Sequence, residues 1–218
     1  MVKAVIFDLD GLLVDTELIA YQIYKDILEE YGYQFTKEEY SQDYSGKSMA
    51  VNVPHVIQTY QLPWTVEKGL EEVMREEERL LTYGVELKPG AKELLAFLKE
   101  NQYGIAMASS SIRDRALNIL KENGSVDYFD QFVFGKEVER GKPYPDIFLK
   151  ACEKLGEQPG DCLVLEDSEA GIQAANAAGI PVICIPDMKR PSQQRLDQTA
   201  AVLDSLDQVI QYLSEEVK

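Results

Sequence analysis

The sequence is poor in the residues on which several common kinds of site depend. Its 218 residues include three cysteines and a single histidine. The cysteines, Cys152, Cys162 and Cys184, form no C-x-x-C pair, and two of them lie in apolar runs, where a thiol behaves as a small hydrophobic side chain. With only His55 available, we expect neither a histidine-rich zinc site nor a serine triad. Any catalysis should therefore depend on carboxylates.

Positive charge and long apolar runs are also scarce. Lysine and arginine number 22 against 38 acidic residues, a formal net charge of −16 at pH 7. This charge opposes binding to nucleic acid or to an anionic membrane. No apolar run approaches the roughly 20 residues of a membrane-spanning helix, and the N-terminal MVKAVIFDLDG does not resemble a secretory signal. We expect a soluble, cytoplasmic monomer or weak dimer without a nucleic-acid or membrane partner.

Short apolar runs alternate with amphipathic stretches along most of the chain. Residues 2–9 are apolar and β-branched and stop at Asp10-Gly11, a pattern that predicts a buried strand. Similar runs occur at 104–109, 131–135, 162–167 and 181–186, separated by helical patterns at 90–101, 112–123, 145–156 and 169–178. The alternation predicts an α/β fold, a Rossmann-like parallel sheet with helices on both faces.

One segment interrupts this alternation. Between residues 17 and 84 no strand-like run occurs, and charged helical patterns such as EEVMREEERLL dominate. The pattern predicts an inserted all-helical domain over 17–84 and a core formed by 1–16 and 85–218. Pro89-Gly90 is expected to open the next core helix, at a position where proline is tolerated. A chain of this length suits one core and a smaller module.

The ends of the predicted strands carry the residues with useful chemistry. In an open α/β sheet, ligands bind beyond the carboxyl ends of the strands. These ends hold Asp8, Asp10 and Gly11 after the first strand, Ser109 at the second, Lys142 after the third, and Glu166 with Asp167 at the fourth. Each signal has a simpler interpretation alone, as a polar turn, a helix N-cap, a surface lysine or an acidic helix start. Their occurrence at four successive strand ends indicates a phosphoryl-transfer site.

Phosphoryl transfer explains each residue type. Mg²⁺ prefers oxygen ligands from one or two carboxylates, which Asp8 and Asp167 would supply. With the metal and a lysine nearby, Asp8 would be held ionised and attack phosphorus, forming an aspartyl-phosphate. Asp10 would protonate the leaving oxygen and then activate water, while Gly11 lets the backbone turn close beneath the transferring group. The metal and Lys142 would neutralise charge on the phosphoryl oxygens.

The residues of this site lie in four segments, FDLDGLLVDTE (7–17), MASSS (107–111), GKPYPDIF (141–148) and LEDSEAGIQAANAAG (165–179). These segments resemble the four motifs of haloacid dehalogenase superfamily phosphatases. The roles that the resemblance implies are Asp8 as nucleophile, Asp10 as acid/base, Gly11, Ser109, Ser110 and Lys142 as substrate-binding residues, and Asp8, the Asp10 backbone carbonyl, Asp167 and, through water, Glu166 as Mg²⁺ ligands.

The helical insertion is similar to the small helical cap of this superfamily, which closes over the active site and selects substrate. Thr16 would lie near its hinge. True dehalogenases lack the second aspartate of the first motif, so Asp10 indicates phosphoryl transfer. The nearest branches are the β-phosphoglucomutase-like and pseudouridine-5′-phosphatase-like enzymes. Four short stretches are more similar to the second branch: SGK (45–47), QLP (61–63), KPGA (88–91) and VLDSL (202–206).

The sequence therefore predicts a Mg²⁺-dependent phosphatase for a small phosphorylated metabolite, a sugar phosphate or a nucleoside monophosphate. One alternative is a sugar phosphomutase. In the mutase branch the resemblance places a histidine at the position of Ala20, where it couples cap closure to acid/base positioning, and alanine cannot do so. Another alternative is a catalytically silent acidic binding protein on the same fold, which the intact motifs oppose.

Overall fold

The computed structural model describes residues 1–215, which form two compact units. The core unit consists of Met1–Asp15 together with the residues from Val85 on. The helical unit consists of Thr16–Gly84. No helix among the described residues is long and apolar enough to cross a membrane.

The core unit is built on a six-stranded sheet in the order β3-β2-β1-β4-β5-β6, with each pair of neighbours parallel. The strands are β1 (Ala4–Phe7), β2 (Gly104–Ser109), β3 (Gln131–Phe134), β4 (Cys162–Glu166), β5 (Val182–Cys184) and β6 (Ala201–Val202). The first five confirm the predicted strands within a few residues at each end. The sixth was not predicted, since two residues give no periodic pattern.

Helices cover the sheet, and those over 91–100, 113–122, 146–155 and 169–178 confirm the predicted helical stretches. They are α5 (Ala91–Glu100), α6 (Arg113–Glu122), α7 (Asp146–Leu155), α8 (Glu169–Ala178), α9 (Gln193–Leu196) and α10 (Gln208–Glu215). Ala4 and Ile6 of β1 belong to one buried cluster with side chains of α7, α8 and α9. Helix α5 also packs on β2, and α10 packs on α5. The three cysteines are buried, as expected.

The helical unit contains α1 (Thr16–Glu30), α2 (Lys37–Asp43), α3 (Met49–Tyr60) and α4 (Val66–Leu81). Over residues 16–84 no strand is present, which confirms the prediction of an all-helical insertion. Its interior is aromatic: Tyr40 and Tyr44 are almost fully buried and stack on one another, with ring centroids 6.3 Å apart. His55 is exposed on α3, its ring 5.1 Å from that of Tyr44.

The two chain segments that flank the helical unit pair with each other inside the core unit. Val14 forms an antiparallel bridge with Leu87. The Asp15 N–H donates to the Glu86 carbonyl at 3.3 Å, and the Lys88 N–H donates to the Leu13 carbonyl at 2.9 Å. The insertion therefore leaves and re-enters the core through one short two-stranded ribbon.

The start of α5 differs from the prediction. Pro89 does not open the helix, because Gly90 is its N-cap and adopts a left-handed conformation with φ 80°. A β-carbon at Gly90 would overlap the backbone of Asp207. Glycine is thus required both by the backbone angle and by the close approach of a second segment.

Candidate active site

The site begins at the carboxyl end of the central strand. The Asp8 N–H donates to the Leu165 carbonyl at 3.1 Å, which carries the β1–β4 pairing one residue beyond the strand. The chain then turns tightly, with the Leu9 carbonyl accepting from the N–H groups of Leu13 and Val14 at 3.0 and 3.1 Å. This turn leaves the Asp8 side chain at the end of the sheet, where it is 7% exposed.

Gly11 occupies the centre of this turn in a conformation that disfavours any other residue. Its φ is 81°, in the left-handed region. A β-carbon at this position would lie 2.6 Å from Asp167 Oδ2 and 3.1 Å from Asp187 Oδ2. The absence of a side chain therefore allows the turn after β1 to lie directly against the carboxylates that follow β4 and β5.

Lys142 connects the ends of two strands through buried ion pairs. Its ammonium donates to Asp8 Oδ1 and, at 2.6 Å, to Glu166 Oε1. The side chains of Lys142 and Glu166 are 7% and 0% exposed. The ammonium also lies 5.0 Å from the centre of the Phe148 ring. A lysine that sequence alone could place on the surface is thus a buried partner of two carboxylates.

Glu166 is held in place by the start of α8. Its Oε2 accepts hydrogen bonds from the N–H groups of Asp167 and Ser168 at 3.0 and 2.9 Å and from the Ser168 hydroxyl at 2.9 Å. Ser168 is the N-cap of α8 and accepts from the Gly171 N–H at 3.1 Å. The positive end of the helix and Lys142 together stabilise this buried carboxylate.

Burial, and then the charge of neighbouring carboxylates, raises the pKa values of Asp8 and Asp167. The pKa of Asp8 is raised to about 7, because burial and the charge of Glu166 raise it by more than the attraction of Lys142 lowers it. The pKa of Asp167 is raised by burial and by the charges of Glu166 and Asp8. Burial lowers the pKa of Lys142, but Asp8 and Glu166 outweigh burial and raise it. With Lys142 as its neighbouring cation, a pKa near 7 leaves Asp8 partly protonated at neutral pH.

This cluster has the composition of a hard-cation site. One carboxylate oxygen from each of Asp8, Glu166 and Asp167 lies within 4.8 Å of the others. The donors are all oxygen, and like charges are gathered where burial penalises them, so a bound divalent cation would remove the repulsion. The residues present fit Mg²⁺.

Asp10 points to a different set of partners. Arg115 Nη1 donates to Asp10 Oδ1 at 2.8 Å, and the Ser111 hydroxyl donates to Asp10 Oδ2 at 2.5 Å. The sequence reasoning assigned no role to Arg115 or Ser111. A signal was present for Arg115, because a basic residue in the first turn of a helix opposes the helix dipole and suggests another partner.

The two serines at the end of β2, Ser109 and Ser110, differ in exposure. Ser109 is 1% exposed, and its hydroxyl accepts from the Ser111 N–H at 3.0 Å. Ser109 is not the N-cap of α6, a position taken by Ile112 without a side-chain hydrogen bond. Ser110 is exposed, and its backbone lies close to Gly135, where a β-carbon would be 3.3 Å from the Ser110 carbonyl oxygen.

A further acidic residue lies next to Asp167. Asp187 follows β5 and pairs with Lys88, which is also 3.9 Å from Asp15. Asp187 Oδ2 is buried and has no hydrogen-bond partner among the described residues. Burial raises the pKa of Asp187, while its hydrogen bond from Lys88 lowers it. Applying the strand-end rule to the fifth strand as well would have singled out Asp187.

The chain is similar to known proteins along most of its length. A family model described as haloacid dehalogenase-like hydrolase matches residues 5–185. A phosphorylated carbohydrates phosphatase from Thermotoga maritima is 34% identical over 178 residues, 82% of each chain. A probable pseudouridine-5′-phosphatase from Drosophila melanogaster is 37% identical, over 92% of this chain and 88% of its own length. A β-phosphoglucomutase from Bacillus subtilis is 30% identical, over 98% and 95%.

The family model covers the segments that carry the first, second, third and fourth motifs, and all the strand ends that meet at the carboxylate cluster. Sequence motifs, sheet order and family match thus agree, and the chain belongs to the haloacid dehalogenase-like hydrolases.

Proposed function

We propose that this chain is a Mg²⁺-dependent phosphatase that hydrolyses a small phosphorylated metabolite through an aspartyl-phosphate on Asp8. The observation that carries the proposal is the buried contact of Lys142 with Asp8 and Glu166, beside Asp167. Buried charges of this kind contribute little net stability compared with apolar side chains, and strongly perturbed carboxylates cluster at functional sites. The arrangement therefore supports chemistry over a structural role.

Asp8 is the nucleophile in this proposal. Its carboxylate oxygen forms a bond to phosphorus as the bond from phosphorus to the leaving oxygen breaks, and water then hydrolyses the resulting acyl phosphate to release inorganic phosphate. Lys142, in contact with Asp8, offsets the repulsion between that carboxylate and an incoming phosphate dianion. Asp10 gives a proton to the leaving oxygen in the first step and takes one from water in the second.

Mg²⁺ would be held by Asp8 and Asp167 directly, by the Asp10 backbone carbonyl, and by Glu166 through water. When bound, the ion neutralises charge on the phosphoryl oxygens during transfer. Ser109, buried at the end of β2, is proposed to bind a phosphoryl oxygen with its hydroxyl. Ser110 and Gly11 would complete the phosphate-binding set through the loop after β2 and the turn after β1.

Residues 17–84 are proposed to act as the cap that excludes water and selects the substrate, with 1–16 and 85–218 as the catalytic core. We take a sugar phosphate or a nucleoside monophosphate as the substrate class. The named activities of two relatives, on phosphorylated carbohydrates and on pseudouridine 5′-phosphate, support this choice. We also propose a cytoplasmic location.

A phosphatase is favoured over a mutase by Ala20 of α1. The resemblance places a histidine there in β-phosphoglucomutase-like enzymes, and alanine has no group that can transfer or orient a proton. Incubation of β-glucose 1-phosphate with a trace of glucose 1,6-bisphosphate separates the two functions. Steady release of inorganic phosphate that needs no bisphosphate is expected, whereas rapid conversion to glucose 6-phosphate with almost no free phosphate would show a mutase.

The test of the mechanism is Asp8→Asn, assayed on a panel of sugar phosphates, mononucleotides and pseudouridine monophosphate with Mg²⁺. The variant should lose turnover entirely while keeping the thermal stability of a folded protein, because no neighbouring group can replace the attacking oxygen. Asp127→Asn, an exposed change of the same kind, should retain full activity. Metal-dependent hydrolysis by Asp8→Asn would refute the nucleophile, and an inactive wild type would favour a silent binding protein.

A further inference from the structure

The contacts of Asp10 with the segment after β2 extend the proposed function. Arg115 Nη1 and the Ser111 hydroxyl each donate to one oxygen of the Asp10 carboxylate, at 2.8 and 2.5 Å. Resting on the acid/base role proposed above, we propose that Arg115 and Ser111 are positioning residues that fix the direction of the Asp10 carboxylate for proton transfer.

The geometry differs from that of an ordinary surface ion pair. A single exposed pair contributes little and leaves the carboxylate free to rotate. Here the same Arg115 nitrogen also donates to Ser111 Oγ at 2.8 Å, so the three side chains close a ring of hydrogen bonds. The side chains of Arg115 and Asp10 are 21% and 30% exposed, which limits competition from water. Rotating the carboxylate would break two bonds at once.

The backbone of Asp10 is fixed as well. Asp10 forms a bridge with Val14 inside the turn after β1, so only its side-chain torsions remain to be set. A general acid must lie about 2.6–3.2 Å from the atom to which it gives its proton. A misplacement of about 1 Å can cost about 100-fold in rate. Groups that fix those torsions therefore control the step without touching the substrate.

The ring is also tied to the proposed phosphate site. The Ser111 N–H donates to the hydroxyl of Ser109 at 3.0 Å. The three-residue segment 109–111 thus contains Ser109, proposed to bind the phosphoryl group, and Ser111, which donates a hydrogen bond to the proton donor Asp10. This connection sets the distance between the phosphoryl group and the acid that must reach its leaving oxygen.

Arg115→Ala tests the proposal with phenyl phosphate and p-nitrophenyl phosphate, which have similar shapes but leaving groups of very different basicity. Rapid mixing would isolate the first step. The rate with phenyl phosphate should fall about 10- to 100-fold, and with p-nitrophenyl phosphate less than about threefold, because only the poor leaving group needs the proton. Arg115→Lys should recover part of the loss. Arg113→Ala, on the same helix but paired with Glu137, should be unaffected.

A double-mutant cycle gives the second measurement. When Asp10 is already Asn, Arg115→Ala should cause no more than about a twofold further loss, since the two residues act as a unit. Equal losses for both substrates in Arg115→Ala, or an undiminished loss in the double variant, would overturn the proposal. Ser111→Ala, which removes a smaller group, provides the same readout if melting temperatures show that Arg115→Ala is poorly folded.

The outcomes separate this inference from the proposed function. If Asp10→Asn hydrolyses phenyl phosphate at the wild-type rate, the acid/base assignment itself fails. If Asp10→Asn loses activity selectively with phenyl phosphate while Arg115→Ala and Ser111→Ala do not, the assignment stands and only the positioning role is refuted.

Discussion

The carboxylate cluster predicts that Mg²⁺ stabilises the protein in a pH-dependent way, a property that can be measured without turnover. Because burial raises the pKa of Asp8 to about 7, the metal-free folded state holds a proton that the unfolded chain releases near pH 4. Protonation of Asp8 therefore stabilises the metal-free folded state. This contribution is fully present below about pH 4 and is lost as the pH rises through 7. Mg²⁺ competes with this proton, so its binding should strengthen as the pH rises.

The size of the Mg²⁺-induced stabilisation at each pH follows from the raised pKa of Asp8. At pH 8, with Mg²⁺ at about 100 times its dissociation constant, the stabilisation is about 2.7 kcal/mol. At pH 5.5 the proton on Asp8 weakens binding about 30-fold, which leaves about 0.9 kcal/mol. For a chain of this length 1 kcal/mol corresponds to about 2–4 °C, so the Mg²⁺-induced rise in Tm should fall from about 5–11 °C to about 2–4 °C.

Differential scanning calorimetry with Mg²⁺ or a chelator at the two pH values is the assay. Asp167→Asn should abolish the rise in Tm at pH 8, because a ligand is lost, whereas Asp127→Asn should preserve it. An equal rise at pH 5.5 and pH 8 would show that the metal does not displace a proton from these carboxylates. No rise at pH 8 would remove the metal from the cluster.

Two further substitutions test how the site is built. Lys142→Ala should lose most of its kcat/KM and about 3–5 kcal/mol of unfolding free energy in urea, since it leaves Glu166 buried without its cation. The control Lys136→Ala, at an exposed lysine, should change kcat/KM by less than about twofold and the unfolding free energy by less than about 0.5 kcal/mol. Gly171→Ala should impair both activity and stability, because its β-carbon would overlap the Glu166 carboxyl group, whereas Gly160→Ala enters open space and should be neutral. Wild-type behaviour of either site variant would contradict the described packing.

The strand ends could be predicted from sequence because each apolar run gives way to polar residues where the strand ends. Asp8 and Glu166 follow their runs directly, and topology alone brings parallel strand ends to one edge of the sheet. The helical insertion was predictable for a similar reason, since the period of the pattern changes. Lys142 was expected from its place after the third strand and from the motif resemblance, although it lies in a loop where no periodicity gives its position.

Other features depend on tertiary contacts whose partners no local pattern specifies. Arg115 meets Asp10 across more than a hundred residues of sequence, and the pairing of β1 with β2, the strand that precedes α6, brings the two segments together. Asp187 belongs to the site because its carboxylate lies against Gly11, beside Asp167, and these two residues lie on other loops. The strand β6 is too short to show an alternation, and its identity depends on pairing with β5.

Residues 13–15 and 86–88 pair with each other through backbone hydrogen bonds. The fold of the core should therefore depend little on the length or structure of the segment between them. Because hydrogen bonds hold its two ends together, the insertion acts as the loop of a hairpin. The entropic cost of closing a loop grows only with the logarithm of the loop's length. Extending a tight turn to roughly 70 residues is about four doublings, a cost of about 2–3 kcal/mol. A chain in which a four-residue turn replaces residues 16–84 should therefore retain the parallel sheet, and the same junction could accept a module of another size or fold.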